Sequence, residues 1–263
     1  MDKINYLEEN IEVLSRAMFK ALQACLNPEE SCTLISKNLM IDSNKKNYIV
    51  RKIKKDIEQT YSEAHKSLIR KLLKILKSNT HKYTHRNRAS LILYELYPSL
   101  PRRTQSAILK QMLTSKYKPV RDRSYKIIMI ENLRKYDQFI QENWENYFDF
   151  YAGEIIYKNF SIEYIYSQIS NLKEVLEDWR VRQIYAKLAT KYPKLINNLK
   201  EDSPLDYVYI MAKSRTSLSE EYLMNLYNEV DNSDKGLIVW ALGEMGMWEI
   251  LIKIEREGSF ISW

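Results

Sequence analysis

The chain has 263 residues, 45% of them hydrophobic and 29% charged, with a formal charge of +7, an ordinary globular balance. Its 5 glycines and 6 prolines are too few for the turns of an all-β protein, so short-linked helices are expected. No run approaches the roughly 18 apolar residues of a membrane span. The opening MDKINYLEEN is acidic where a signal peptide is basic and then apolar, so a cytoplasmic protein is expected, with Cys25 and Cys32 as reduced, incidental thiols.

Residues 4–26 place Ile4, Leu7, Ile11, Leu14, Met18 and Leu22 at intervals of three and four, which predicts one helix ended by Asn27-Pro28. Residues 28–42 read as a connector with room for a short helix. A long helix or helix pair is expected from about Lys45 to Lys77. There Leu68, Leu72, Leu73, Ile75 and Leu76 make one apolar stripe, surrounded by Lys66, Arg70, Lys71, Lys74 and Lys77.

From that point the chain repeats itself. THRNRASLILYEL from Thr84 and KPVRDRSYKIIMI from Lys118 each open with a polar turn, place basic residues in the first helical turn, and then run apolar; Arg86 and Arg121 stand 35 residues apart. EDWRVRQIYAKLA from Glu177 and DKGLIVWALGEMG from Asp234 have the same build. Second helices are expected between them, over 102–115, 137–151, 161–176 and 217–230. A helix pair recurring every ~30–35 residues predicts an all-α chain wound as a right-handed α-α superhelix, a solenoid. Residues 1–60 are expected as an N-terminal helical extension, and 61–263 as a single elongated repeat domain.

Charge is unevenly placed along this pattern. From Lys45 to Lys126 there are 22 Lys and Arg against 5 Asp and Glu, while the rest of the chain has 19 against 29. A field of that polarity attracts polyanions before any contact forms, so nucleic acid is the expected partner. The basic first turns supply Arg86, Arg88, Arg121, Arg123 and Lys126, with Arg180 and Lys187 further on. Guanidinium groups at this recurring position suit bidentate contact with phosphates. The same residues could instead pair with acids of a neighbouring repeat, for which Asp122 and Asp178 stand ready. Over 178–192 the apolar set is Val181, Ile184, Tyr185 and Leu188, which puts Arg180, Gln183 and Lys187 on the open side. Arg182 shares its side with Ala186 and Ala189 and is expected to pack against a neighbour.

VRDRSYKII, WRVRQIYAKL and GLIVWALGEMG resemble HEAT repeats. NWENYFDFYAGEII (143–156), DWRVRQIYAKLA (178–189) and KGLIVWALGEMG (235–246) more specifically resemble three segments of the HEAT-like bacterial alkylpurine DNA glycosylases. The HEAT resemblance extends over roughly residues 60–255, and the sharper one lies inside it. The sharper resemblance implies a concave site in which Trp144, Asp149 and Trp240 hold a cationic alkylated nucleotide and Arg182, or Arg180, holds phosphate. The implied activity is hydrolysis of an N-glycosidic bond, with a carboxylate at Asp149 facing the oxocarbenium character of the sugar. From its helical spacing alone, Trp240 lies beside the stripe of Leu237, Ile238, Ala241, Leu242 and Met245, and over Glu244 one turn on.

No phosphate-cradling Gly-rich loop, Ser-His-Asp set or Cys-His pair stands out. His81 and His85 at i, i+4 lack a third ligand and sit among cations, so neither a metal nor a cofactor is expected. Two alternatives to duplex DNA binding stay open: an RNA-binding solenoid, and a non-catalytic scaffold whose basic half docks an acidic protein partner.

Overall fold

The computed structural model describes residues 3–167, 182–197 and 199–256, and every regular element among them is helical. Seventeen α-helices are present among the described residues, and the chain divides into two compact units, 1–133 and 134–263.

The first unit contains α1 (Lys3–Asn10), α2 (Arg16–Ala24), α3 (Pro28–Lys37) and α4 (Ser43–Gln59). It continues with α5 (Glu63–Lys77), α6 (Tyr83–Leu96), α7 (Arg102–Leu113) and α8 (Lys118–Glu131). The helix expected over 4–26 is two helices, because Ser15 starts the second: its hydroxyl accepts from the Met18 amide at 3.3 Å. The expected connector is a full helix, α3, begun by a reciprocal cap. The Asn27 side chain accepts from the Glu30 amide at 2.8 Å, and Glu30 accepts from the Asn27 amide at 2.7 Å, with Pro28 in the first turn. The long stretch from Lys45 to Lys77 is a pair, α4 and α5, broken at Thr60–Ser62, where Thr60 is extended.

Alternate helices of this unit are neighbours. Helices α2, α4, α6 and α8 follow one another in one row, α3, α5 and α7 in a second, and α3 packs on α4, α5 on α6 and α7 on α8. The apolar stripes explain this. Leu68, Leu72 and Ile75 of α5 and Ile92, Leu93 and Leu96 of α6 are buried where the rows meet. Each such side chain contributes about 1.5–3 kcal/mol on burial, which a lone helix cannot collect.

The second unit contains α9 (Asp137–Tyr147), α10 (Phe150–Asn159), α11 (Ile162–Ser167), α12 (Arg182–Ala189) and α13 (Leu199–Asp202). It ends with α14 (Pro204–Lys213), α15 (Glu220–Glu229), α16 (Asn232–Glu244) and α17 (Trp248–Arg256). Here α10, α12, α14 and α16 are successive neighbours, and α9, α11 and α15 pack on α10, α12 and α16 respectively. One core cluster joins Val208 and Ala212 of α14, Leu223 and Leu226 of α15, and Ile238 and Leu242 of α16. The helix expected over 137–151 ends early. Phe148 takes a left-handed conformation, φ 48° and ψ 40°, and Asp149 then stands at the N-cap of α10. No helix among the described residues is long and apolar enough to cross a membrane.

The start of α5 has an unusual cap. His65 is buried, and its Nδ1 accepts from the Ser62 amide at 3.1 Å and lies 2.9 Å from the Ser62 hydroxyl, with the Tyr61 ring stacked alongside. Nδ1 can accept only while the imidazole is neutral, and burial holds the His65 pKa below its ordinary value. The unfolded chain therefore binds this proton more readily than the folded one. The contribution of His65 is complete above pH ~6.5 and drains away as pH falls toward the lower folded value. Urea midpoints measured from pH 7.5 downward should drop more steeply for the native chain than for His65→Gln, which keeps a capping acceptor but cannot titrate. Parallel curves would refute this account.

Candidate nucleic-acid interface

The arginines of the basic first turns work inward. Arg86 is 7% exposed; its guanidinium donates to the Ser78 carbonyl at 2.7 Å and to the Tyr117 hydroxyl, and lies over the Tyr117 ring at 4.2 Å. Arg121 is 3% exposed and donates to the Ser115 carbonyl at 2.8 Å. Ser78 caps α5 and Ser115 lies just past α7, so both arginines tie the carboxyl end of one helix to the start of the next. A cation there also faces the negative end of the helix dipole. The 35-residue period is thus a period of internal fasteners.

Arg88 and Arg123 repeat a second motif. Arg88 of α6 donates to the Ser43 hydroxyl of α4 at 3.4 Å, and Arg123 of α8 donates to the Ser90 hydroxyl of α6 at 2.7 Å. Each reaches back to the preceding helix of its own row. Arg123 also donates to the Pro119 carbonyl at 2.9 Å, and burial pulls its guanidinium pKa down. Lys126 is exposed on α8 and has a polar or charged neighbour.

In the second unit, Arg182 and Trp240 meet through a residue the sequence did not single out. Tyr209 of α14 stacks on Trp240 of α16, with ring centroids 5.1 Å apart and 20° between planes. The Arg182 guanidinium lies 5.8 Å from the Tyr209 centroid and pairs with Asp206 at 2.5 Å. Burial raises the Asp206 pKa, and Arg182 works against that rise. Burial pushes the Tyr209 phenol up to about 12, with the Glu154 carboxylate adding to the rise. Glu154 pairs with Lys213 at 3.2 Å, and the Tyr157 hydroxyl donates to the Lys213 carbonyl at 3.1 Å. Asp206, Tyr209 and Lys213 recur at i, i+3 and i+7 along α14, a spacing that places them on one side of it. That spacing was the available signal for the seam.

Trp144 and Asp149 occupy other surroundings. Trp144 is 6% exposed, meets Phe148 edge-on at 5.7 Å, and its Nε1 has no hydrogen-bond partner. Asp149 is 1% exposed at the N-cap of α10. The left-handed Phe148 separates the two, so they do not share a helix. Gln183 and Lys187, expected on the open side of their helix, turn inward. Gln183 is buried, and Lys187 donates to the Tyr157 carbonyl at 2.6 Å and to the Phe160 carbonyl, at the end of α10. Burial, and then Arg134, lower the Lys187 pKa. Arg180 lies outside the described residues. No group of three metal-ligating side chains is present among the described residues.

The exposed cations lie elsewhere. Helices α5 and α7 are neighbours in one row and together contain Lys66, Arg70, Lys71, Lys74, Lys77, Arg102, Arg103 and Lys110, all eight exposed. Their only acid is Glu63, which pairs with Lys66 at 2.5 Å and Arg70 at 3.6 Å. Lys74, Lys77, Arg103 and Lys110 have no ion-pair partner among the described residues.

Two kinds of cation should separate on substitution. Arg86→Ala leaves the Ser78 carbonyl without its donor and should cost roughly 2–3 kcal/mol in urea unfolding. Arg182→Ala, which strands a half-buried Asp206, should cost about 1–3 kcal/mol. Neither should weaken binding to duplex DNA, measured by fluorescence anisotropy, by as much as Lys74→Glu, which should not lower stability and should raise it by at most a few tenths of a kcal/mol. The reverse ranking would return Arg86 and Arg182 to the interface.

The chain matches no family model, no curated protein and no solved structure.

Proposed function

We propose that the chain is a nucleic-acid-binding protein: an all-α solenoid, its helix pairs stacked in a right-handed superhelix, that grips duplex DNA through the outer side of α5 and α7. The observation that carries this reading is the set of eight exposed cations against one acid on two adjacent helices. Lys66, Arg70, Lys74 and Lys77 recur one helical turn apart, so their charges run along α5 as a stripe. Such a stripe meets a phosphate backbone without needing base-specific geometry, and sequence-independent affinity is the expected result. The polarity of the whole chain agrees with this placement: residues 1–133 contain 26 Lys and Arg against 13 Asp and Glu, and residues 134–263 contain 15 against 21.

Holding DNA is better supported than cutting it. Hydrolysis of the glycosylase type needs a carboxylate and aromatic faces open to an extruded nucleotide. Asp149 and Trp144 are buried, Trp240 is covered on one side by Tyr209, and Arg182 is neutralised by Asp206. What remains is a seam of ion pairs and rings that joins α10, α12, α14 and α16.

Binding to a duplex of mixed sequence should fall steeply between about 50 and 200 mM salt, as counterion release requires. Reversing Lys74, Lys77 and Arg103 to Glu should lower the slope of log K against log salt by about 3. Absence of binding even at low salt would overturn the reading in favour of a protein scaffold, and preference for an RNA duplex would redirect it. Alkylated DNA should keep its N3- and N7-methylpurines in the presence of the protein. Their release, abolished in Asp149→Asn, would restore the hydrolase.

A further inference from the structure

A cavity of about 620 Å³ opens in the first unit, within the usual range for a small-molecule site. Its lining comes from the α1–α2 link, the end of α3 and the loop after it, the start of α4, the middle of α5, and His81 and His85 at the entry to α6.

Its floor is fixed by groups already engaged. The Lys45 ammonium, almost fully buried, donates to the Ile11 carbonyl and to the Glu12 carbonyl at 3.2 Å, and lies 4.0 Å from an Asp42 oxygen. The other Asp42 oxygen caps α4, accepting from the Asn44 amide at 2.8 Å. Lys37 pairs with Glu8 at 3.2 Å. One wall is apolar, formed by Leu39, Met40, Ile41 and Ile75, with Met40 exposed at 46%. Glu12 is an exposed carboxylate on the lining.

The polar groups left over are able to donate to an anion. Lys71 has no carboxylate partner, only the Ser36 hydroxyl at 3.2 Å. The His81 and His85 rings lie 6.3 Å apart; the Nδ1 of each is shut off from solvent, which leaves Nε2 as the ring nitrogen a ligand in the cleft can reach. Two histidines alone do not make a metal site, and no third ligand joins them among the described residues. Donors from three separate segments, α5, the α5–α6 loop and α6, suit an acceptor with three oxygens spread around one centre.

We propose that this cleft binds a phosphate monoester with an apolar body, its phosphate held by Lys71, His81 and His85 and its body against Met40 and Ile75. The monoester is either a free small molecule or the phosphorylated end of a nucleic acid. Lys71 also belongs to the cationic side of α5, whereas His81 and His85 do not, so the two sites are separable.

The probe is phenyl phosphate, titrated calorimetrically into the full chain. It should bind saturably and about tenfold more tightly than inorganic phosphate, because only the ester reaches the apolar wall. The double variant His81→Ala/His85→Ala should weaken it about tenfold or more while leaving duplex DNA affinity intact. Lys74→Glu should do the opposite, so failure of this site and failure of the DNA reading give different patterns. Should the double variant lose its helical circular dichroism, His85→Gln alone is expected to weaken the probe. Displacement of phenyl phosphate by a 5′-phosphorylated oligonucleotide but not by its 5′-hydroxyl form assigns the ligand to a nucleic-acid end; displacement by neither assigns it to a small molecule. No saturable binding, binding undiminished in both histidine variants, or tight binding of Zn²⁺ with none of phenyl phosphate overturns the proposal.

Discussion

A guanidinium at the start of one helix, fastened to a carbonyl of the turn that closes the helix before it, is the contact that recurs through the first unit. Arg86 does this for α5 and Arg121 does it for α7, 35 residues later. The geometry explains the period. The end of a helix leaves carbonyls without partners, and burying that end against the next helix pair requires a donor. Arginine reaches it with a planar fork and stays charged. Lys187 does the same for the end of α10 with a single ammonium. A repeat of this kind is conspicuous in sequence because it is structural.

This is why the fold was more legible than the site. Apolar spacing and the scarcity of turn residues were enough to expect an all-helical chain, and helices α7 and α15 fall inside the stretches that periodicity marks. Breaks were harder to place. Ser15, Thr60 and Phe148 end or start helices through capping and a left-handed backbone, and neither changes the apolar period on both sides. Phe148 gives no warning at all, because a large aromatic residue is not what a positive φ ordinarily selects.

For the site, reading basic first turns as a phosphate ladder confused recurrence with exposure. A recurring arginine satisfies a recurring structural need, whereas a surface made for a partner need not obey the repeat. The lysines around the α5 stripe were visible as its flanks, yet periodicity alone gave them no distinction. Arg182 is the converse case: its place beside Ala186 and Ala189 did point to packing against a neighbour, and Asp206 is that neighbour. Tyr209 escaped notice because its significance comes from Trp240 and Arg182, which are distant in sequence.

The placement of acids sets α5 and α7 apart. Four cations of the second unit sit beside carboxylates, Arg134 by Asp137, Arg182 by Asp206, Lys191 by Glu163 and Lys213 by Glu154, and in the first unit Lys46 sits beside Glu95 and Lys52 beside Asp56. On α5 and α7 the only acid is Glu63, and like charges one turn apart repel by a few tenths of a kcal/mol each in an isolated helix. Lys66, Arg70 and Lys74 form such a series, relieved only at its first turn by Glu63. The stripe therefore works slightly against the helix that bears it. Folding alone gives no reason to retain it, because one glutamate on the same side would lower the energy of the free protein. A polyanion laid along α5 and α7, as proposed, would remove the repulsion and release its own counterions, so binding would supply what the isolated fold lacks.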